Sequence, residues 1–330
     1  MALIDSFGRT IRYLRVSVTD RCNLSCDYCR TAGLQRLPNN QQLLTLEEIG
    51  RLVRIFTELG VERVRLTGGE PLLRKNVLGL ISQLGGLPLL TELSLSTNAL
   101  LLSRFANRIK QAGVHRVNIS LDTLNPETFK TLTRGGNLPD VLAGIQAAVK
   151  AELYPVKVNM VVMKGINEQE VPSMVEFARE HGLVLRFIET MPIGEAGKGI
   201  DGRYFSAEAI LDMVKARFDS ELIPVHQSRG SGPARYYQIA GTDAEVGVIS
   251  ARSRHFCDTC NRMRLTSTGQ LVLCLGREDR KDLKTALRQG ASDEDLKRQI
   301  EEAVELKPLN HQFDQEGAHG TTHAMSALGG

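Results

Sequence analysis

Tyr13-Leu14-Arg15-Val16-Ser17-Val18 runs directly into Thr19-Asp20-Arg21-Cys22-Asn23-Leu24-Ser25-Cys26-Asp27-Tyr28-Cys29. Leu14, Val16 and Val18 recur at the two-residue period of a β-strand. The strand delivers three cysteines spaced Cys-x3-Cys-x2-Cys. So short a spacing lets three sulfurs converge on one object, and three thiolates suit an iron–sulfur cube in which each iron takes one outer ligand. Three cysteines for four irons leave one iron open. An open position is what a catalytic metal site uses to bind and activate a small molecule. Zinc is the alternative, but a structural zinc site takes four protein ligands, and no nearby His or fourth Cys offers one. A disulfide would leave one thiol over.

Outward from this loop the chain repeats one pattern. Thr45 and Glu48 form a capping box that opens a helix over 46–59, whose apolar face is Leu46, Ile49, Leu52, Val53, Phe56 and Leu59. Strands are expected at 61–67, 91–96, 116–121, 156–162 and 183–188, with helices at 75–84, 104–112, 138–151 and 170–181. Together with the first strand and helix, these are strand–helix units that return to a parallel sheet. The expected fold is α/β, a partial (β/α)6 barrel of TIM type. Special residues gather at the strand C-termini: the cysteines, Gly68-Gly69-Glu70, Thr97-Asn98, Ser120, Asp122 and Met191. In α/β barrels that end carries the site. Met191, before Pro192, is otherwise read as core packing.

After residue 192 the pattern changes, so the expected division is a barrel over 1–192 and a C-terminal region over 193–330 that closes it. Gly194, Gly197, Gly199 and Gly202 loosen the chain. A helix at 206–218, short strands at 236–239 and 246–250, a hairpin over 264–273 and helices at 281–288 and 293–306 follow. This region holds a second triplet, Cys257-x2-Cys260 and Cys274. Here zinc stands level with a cluster, because His255 could complete a Cys3His site. Arg262 and Arg264, two apart on a strand, point to one side and suit a polyanion such as a triphosphate; exposed strand arginines are the commoner case. Arg15 and Arg65 are charges in apolar strands, which are costly unless partnered, for example by Glu62 or Glu92. Gly68-Gly69-Glu70-Pro71 supplies a flexible turn and a carboxylate able to receive a ligand's amino group, although such a turn usually just joins strand to helix. His226, His319 and His323 show no ligand spacing.

Composition narrows the class. A net charge of +3 over 330 residues argues for no nucleic-acid partner, and no run approaches ~20 apolar residues, so no membrane span is expected. The start has no basic segment followed by a long apolar core, and six cysteines in two triplets point to metal ligation in a cytoplasmic enzyme.

The first triplet with Tyr28, followed one strand later by Gly68-Gly69-Glu70-Pro71, resembles the radical S-adenosylmethionine superfamily. Val18 to Asn23, Leu66 to Arg74, Ser120-Leu121-Asp122, Phe256 to Leu265 with Cys274, and the terminal Gly329-Gly330 resemble its molybdenum cofactor biosynthesis protein A family, the GTP 3′,8-cyclases. The resemblance spans essentially the whole chain. One departure stands out: the family commonly has Met-Pro after the third cysteine, and Arg30-Thr31 stand here.

The resemblance implies a radical S-adenosylmethionine lyase with two 4Fe–4S clusters. Cys22, Cys26 and Cys29 would hold the first, whose open iron chelates S-adenosylmethionine, and Tyr28, Gly69, Ser120 and Met191 would contact that cosubstrate. Cys257, Cys260 and Cys274 would hold the second, which binds the guanine of GTP; this sets zinc aside. Arg15, Arg65, Thr97, Lys157, Arg262, Met263 and Arg264 match GTP-contacting positions. Arg262, Arg264, Gly329 and Gly330 match catalytic ones, the glycine tail reaching into the site where an ordinary chain end would be disordered. In the implied reaction a 5′-deoxyadenosyl radical takes the C3′ hydrogen of GTP and the C3′ radical attacks C8. This gives 3′,8-cyclo-7,8-dihydro-GTP, the first step of molybdenum cofactor biosynthesis. The family also implies an electron donor, a homodimer, and cyclic pyranopterin monophosphate synthase as pathway neighbour. The alternatives are a radical enzyme modifying a peptide with an auxiliary cluster, and a non-catalytic iron–sulfur sensor.

Overall fold

A computed structural model describes residues 2–29, 38–39, 41–197, 200–225, 232–313 and 325–329. Gly330, Gly199, the Arg30-Thr31 departure, His226, His319 and His323 lie outside the described residues.

The first strand, β1 (Tyr13–Ser17), leads into the cysteine loop, and α1 (Leu46–Glu58) follows. The capping box forms as expected: Glu48 N–H donates to Thr45 Oγ1 at 3.1 Å, and Thr45 N–H donates to Glu48 Oε2 at 2.7 Å. Then come β2 (Arg63–Thr67) and α2 (Val77–Gly85), β3 (Glu92–Thr97) and α3 (Leu102–Gln111), and β4 (Arg116–Ser120). After β4 the chain makes two helices, α4 (Pro126–Thr133) and α5 (Leu138–Lys150). The first of these was not expected. Asn125 caps it, its Oδ1 accepting from Glu127 and Thr128 N–H at 3.0 Å, with Pro126 at the first position. The series ends with β5 (Lys157–Val162), α6 (Val171–Glu180), β6 (Val184–Glu189) and α7 (Ala207–Phe218).

The C-terminal region adds β7 (Leu222–Val225), β8 (Arg235–Ile239), β9 (Glu245–Ile249), β10 (Arg262–Leu265), β11 (Gln270–Val272) and β12 (Arg280–Asp282), then α8 (Leu283–Arg288), α9 (Asp293–Glu305) and α10 (Met325–Leu328). Strands β7 and β12 and helix α10 were not expected; β12 takes the start of the helix read at 281–288. All twelve strands form one sheet in the order β12-β11-β10-β1-β2-β3-β4-β5-β6-β9-β8-β7. Strands β1 to β6 are parallel neighbours, which is the expected partial (β/α)6 barrel. The C-terminal strands extend both its edges. Strand β10 adds parallel to β1, and β9 adds parallel to β6.

Alternation along the strands decides what the barrel can hold. Leu14 and Val16, Val64 and Leu66, Leu93 and Leu95, Val117 and Ile119, Val158 and Met160, and Leu185 and Phe187 pack in the main core with the helices. The intervening positions share the opposite face. They include Arg15, Arg65, Ser94, Asn118, Lys157, Asn159 and Arg186. A TIM barrel is ordinarily filled with branched apolar side chains. This one presents a polar, cationic interior instead.

Candidate active site

Among the described residues none of the six cysteines forms a disulfide, and all six border one cavity of ≈ 300 Å³. Tyr28, Gly69, Thr97, Ser120, Met191, Arg15, Arg65, Arg262, Met263 and Arg264 border it too. Of the expected site residues among those described, Lys157 and Gly329 do not. Met263 directs its side chain into the main core, in register with Leu14.

Two glycines shape the wall beside the first triplet. Gly69 N–H donates to Thr19 O and Glu70 N–H to Arg21 O, both at 2.8 Å, so the turn lies against the backbone that leads into Cys22. A Cβ on Gly69 would stand 2.3 Å from Arg21 O, and one on Gly68, at φ +142, would stand 2.2 Å from Thr19 O. Only glycine permits this approach. Glu70 does not present its carboxylate to a ligand. Its oxygens accept from Leu72 N–H at 3.1 Å, Asn98 N–H at 2.9 Å and Thr97 Oγ1 at 2.9 Å, joining the turn to the end of β3. Burial pushes Glu70 up to about 7 despite those donors.

Tyr28 OH donates to Asp122 Oδ2 at 2.6 Å, and Val161 N–H donates to Oδ1 at 2.8 Å. Burial lifts Asp122 to about 6. Burial, with Cys29, Asp122 and Cys22 nearby, raises the Cys26 thiol well above its usual range. Burial raises Cys257 and Cys274 as well. At Cys260 burial also acts upward, but Lys307 and Arg262 outweigh it and bring the thiol down. Thiols at such a site become ligands when a metal displaces the proton.

Among the described residues, no three His, Cys, Asp or Glu side chains gather as ligands of a single metal ion. Thiolates on separate irons of a cluster need not converge on one point, as they must around one zinc. His255 meets His311 edge-on, with ring centroids 5.6 Å apart. Three thiols from each triplet border the shared cavity, a donor set whose chemistry suits iron–sulfur ligation.

A row of arginines borders the same cavity. Arg15 is in register with Arg65 on one neighbouring strand and with Arg264 on the other. Burial, then the charges of Arg264 and Arg65, holds Arg15 well below the usual arginine range. Burial and Arg262 bring Arg264 down to about 10. Glu92 pairs with Arg116 at 2.6 Å and also acts electrostatically on Arg65, while Glu62 meets Arg12 at 3.9 Å. Arg262 lies over the Phe256 ring, 5.1 Å from its centroid, and its buried Nε meets no acceptor among the described residues. Arg264 Nη1 donates to Leu328 O at 3.2 Å and to Gly329 O. The described part of the C-terminal tail is thus seated against the arginine row. Gly329 has φ +75, and a Cβ there would stand 2.3 Å from Thr67 Cγ2.

Sequence reasoning missed four groups. Arg186 borders the cavity; its Nη2 donates to Asn118 Oδ1 at 2.6 Å while its buried Nε has no acceptor among the described residues. The signal was present, a charge inside an apolar strand, as at Arg15 and Arg65. Arg9 joins the N-terminal turn to the second triplet: Nη1 donates to Cys257 O and Leu309 O, and Nη2 to Pro308 O, all at 2.8 Å. Lys307 donates to Leu273 O beside Cys274. Glu189 ties the end of β6 to the start of α7 and to Arg252 and Ser253, whose N–H groups it accepts at 2.9 and 3.1 Å. Arg9, Lys307 and Glu189 act through tertiary contacts that no local pattern announces.

Residues 16–178 match the model of the radical SAM superfamily, and residues 183–313 match that of the molybdenum cofactor synthesis C domain. A GTP 3′,8-cyclase of Hydrogenovibrio crunogenus is 48% identical over 331 aligned residues, covering 100% of both chains. The chain belongs to the GTP 3′,8-cyclase family. A GTP 3′,8-cyclase of Heliobacterium modesticaldum is 46% identical, covering 99% of this chain and 100% of the relative, and one of Brucella canis is 45% identical, covering 99% and 96%. Among solved structures, Streptococcus suis SuiB bound to S-adenosylmethionine superposes with a TM-score of 0.60 at 14% identity, covering 85% of this chain and 67% of that one. That likeness shows the fold alone: this chain and SuiB share a partial α/β barrel.

Proposed function

We propose that this protein is a GTP 3′,8-cyclase that converts GTP to (8S)-3′,8-cyclo-7,8-dihydroguanosine 5′-triphosphate, the first step of molybdenum cofactor biosynthesis. The observation that carries the reading is a cavity bordered by both cysteine triplets and by the arginine row. Cys22, Cys26 and Cys29 hold one 4Fe–4S cluster, and Cys257, Cys260 and Cys274 hold the other. When bound, the first cluster and S-adenosylmethionine supply reductive cleavage of the sulfonium and removal of the C3′ hydrogen of GTP.

The chain's own residues bind and orient. Tyr28, its hydroxyl fixed by Asp122, lines the cosubstrate pocket with Gly69, Ser120 and Met191. Arg15, Arg65 and Arg264, with Arg186 and Arg262, receive the triphosphate through charge-assisted bonds. Thr97 and Lys157 complete the substrate wall, with the backbone of Met263. Gly329 aims Arg264 through its carbonyl, so that the arginine acts from a fixed position, and the Gly329-Gly330 tail belongs to the catalytic machinery. Residues 1–192 supply the radical machinery and part of the nucleotide contacts, and residues 193–330 supply the second cluster and the contacts of Arg262, Met263 and Arg264. A low-potential electron donor, a homodimeric state, cyclic pyranopterin monophosphate synthase as consumer of the product, and a cytoplasmic location belong to the same proposal. No helix of the described residues is long and apolar enough to cross a membrane.

The test uses anaerobically reconstituted protein, a reductant, S-adenosylmethionine and GTP deuterated at C3′. Deuterium should appear in 5′-deoxyadenosine by mass spectrometry. Unlabelled 5′-deoxyadenosine would refute the substrate and direct attention to peptides. No 5′-deoxyadenosine from cluster-replete protein would refute the enzyme and favour a sensor.

A further inference from the structure

We infer that Asn98 is a positioning residue of the first cluster: its side-chain amide donates to the Cys22 sulfur, fixing that ligand and raising the potential at which the cluster accepts an electron. The inference rests on the assignment of Cys22 as a cluster ligand made above.

Asn98 is the first residue after β3, and every polar atom of its side chain is used. Leu100 N–H donates to Oδ1 at 3.1 Å. The two hydrogens of Nδ2 face Asn23 Oδ1 at 2.8 Å and Cys22 Sγ at 3.7 Å. Exchanging the amide oxygen and nitrogen would set Oδ1 against another carbonyl oxygen and a sulfur, and Nδ2 against an N–H donor. The orientation is therefore set by its partners. Leu24 N–H lies 3.4 Å from the same sulfur, so Cys22 receives donors from two separate segments.

The turn that aims Asn98 is itself held from three sides. Asn98 N–H donates to Glu70 Oε2 at 2.9 Å. Ala99 adopts φ +65, uncommon for a residue with a Cβ, and its N–H donates to Thr97 Oγ1 at 3.0 Å. Gly144 in α5 allows the helix to buttress the turn, since a Cβ there would stand 2.3 Å from Ala99 O. A strained, buttressed turn presenting one amide to a ligand sulfur is the kind of outer support that orients metal ligands. Donors to cluster sulfurs also stabilise the extra electron of the reduced state, which makes the potential more positive.

The experiment is a potentiometric titration, followed by electron paramagnetic resonance, of the reconstituted holoenzyme and of its Asn98→Asp and Asn98→Ala variants. The first cluster is recognised as the signal that added S-adenosylmethionine perturbs. Asn98→Asp keeps the acceptor for Leu100 and removes both donors. Its midpoint should move negative, lowering the reduced-to-oxidised ratio at a fixed potential by about tenfold, ~59 mV for one electron. Asn98→Ala should shift the same way by less, since it adds no charge. The second cluster's midpoint should stay put. An unchanged first-cluster midpoint in Asn98→Asp, with full iron content, overturns the inference, as does a parallel shift or loss of both signals. Loss of the first signal alone, with the second retained, supports the positioning role. Cys22→Ala separates the two layers: a surviving S-adenosylmethionine-sensitive signal would refute Cys22 as a ligand, whatever Asn98 does.

Discussion

Replacing Lys157 with methionine should act in opposite directions on stability and on binding. Lys157 is 2% exposed and lies by the Tyr236 ring, 5.8 Å from its centroid. Burial, then Arg186, Arg116 and Arg65, pushes its ammonium down to about 7, against about 10.4 for an unperturbed lysine. The lowered value means that between pH 7 and 10.4 the unfolded chain binds a proton that the folded, ligand-free chain does not. Stability therefore rises with pH across that window, and Lys157 costs most at its lower end. About three pKa units correspond to a cost of ~4 kcal/mol at pH 7. Lys157→Met should raise the melting temperature of the ligand-free protein at pH 7, and the gain should shrink towards pH 10. GTP reverses the balance, since one phosphate charge ~8 Å away at an effective dielectric of ~20 contributes ~2 kcal/mol, and two or three restore the ammonium. At pH 8 GTP is already fully ionised, so binding should draw about 0.9 proton onto Lys157. Calorimetry of GTP binding in buffers of different ionisation enthalpy reads that uptake. In Lys157→Met it should vanish, with affinity down by ~10- to 150-fold from ~1.5–3 kcal/mol of lost charge attraction. Equal proton uptake in the variant, or unchanged affinity, would refute the reasoning.

Three further outcomes are expected. Cys22→Ala and Cys274→Ala should each reduce bound iron to about half, as one of two four-iron clusters is lost; only the first should abolish the S-adenosylmethionine-sensitive resonance, and a wild-type iron count in either would remove that triplet as a cluster site. Gly69→Ala should cost ~1–3 kcal/mol of stability and most S-adenosylmethionine binding, because its Cβ meets the Arg21 carbonyl at 2.3 Å. Gly79→Ala, with nothing within 4 Å in α2, should instead gain ~0.5–1 kcal/mol, and a thermal melt of both variants that failed to separate them would count against the close approach. Deleting residues 329–330 should cut turnover by about tenfold or more, ~1.4 kcal/mol at the transition state, while leaving the melting temperature unchanged. Turnover that survives the deletion would dissociate the tail from catalysis.

The barrel was legible because its rules are local. Capping at Thr45, alternation in β1 to β6 and helical faces between them each follow from a few neighbouring residues. The cysteine triplets were legible for the same reason. What the sequence hid was register. Nothing in Arg15, Arg65 or Arg264 alone says that they stand side by side, because that follows from β10 pairing with β1. Arg186 carried the same local signal as Arg15 and was passed over. Arg9 and Lys307 could not be found locally, since their partners lie some 250–300 and 34 positions away in the chain. The Glu70 carboxylate looked available for a ligand because its hydrogen-bond donors, Thr97 and Asn98, arrive only when β3 lies beside β2.

The same register explains why the C-terminal region must complete this sheet rather than dock on it. Met263 and Leu265 of β10 join the core that holds Leu14 and Val16. Because strand side chains alternate, pairing that buries Met263 beside Leu14 necessarily sets Arg264 beside Arg15. Each adjacent pair of guanidiniums ~6 Å apart at an effective dielectric of ~20 repels by roughly 3 kcal/mol. Apolar burial on the outer face, about 1.5–3 kcal/mol per large side chain, is what holds the row together against that repulsion. The ligand-free fold thus keeps its cations close at a cost that the hydrophobic face offsets, and a triphosphate relieves the cost directly. Slipping β10 by one residue would remove the repulsion but expose Met263 and Leu265 to the cavity and turn Arg264 into the core. The cationic site and the correct pairing of β10 are therefore one constraint on the sequence rather than two.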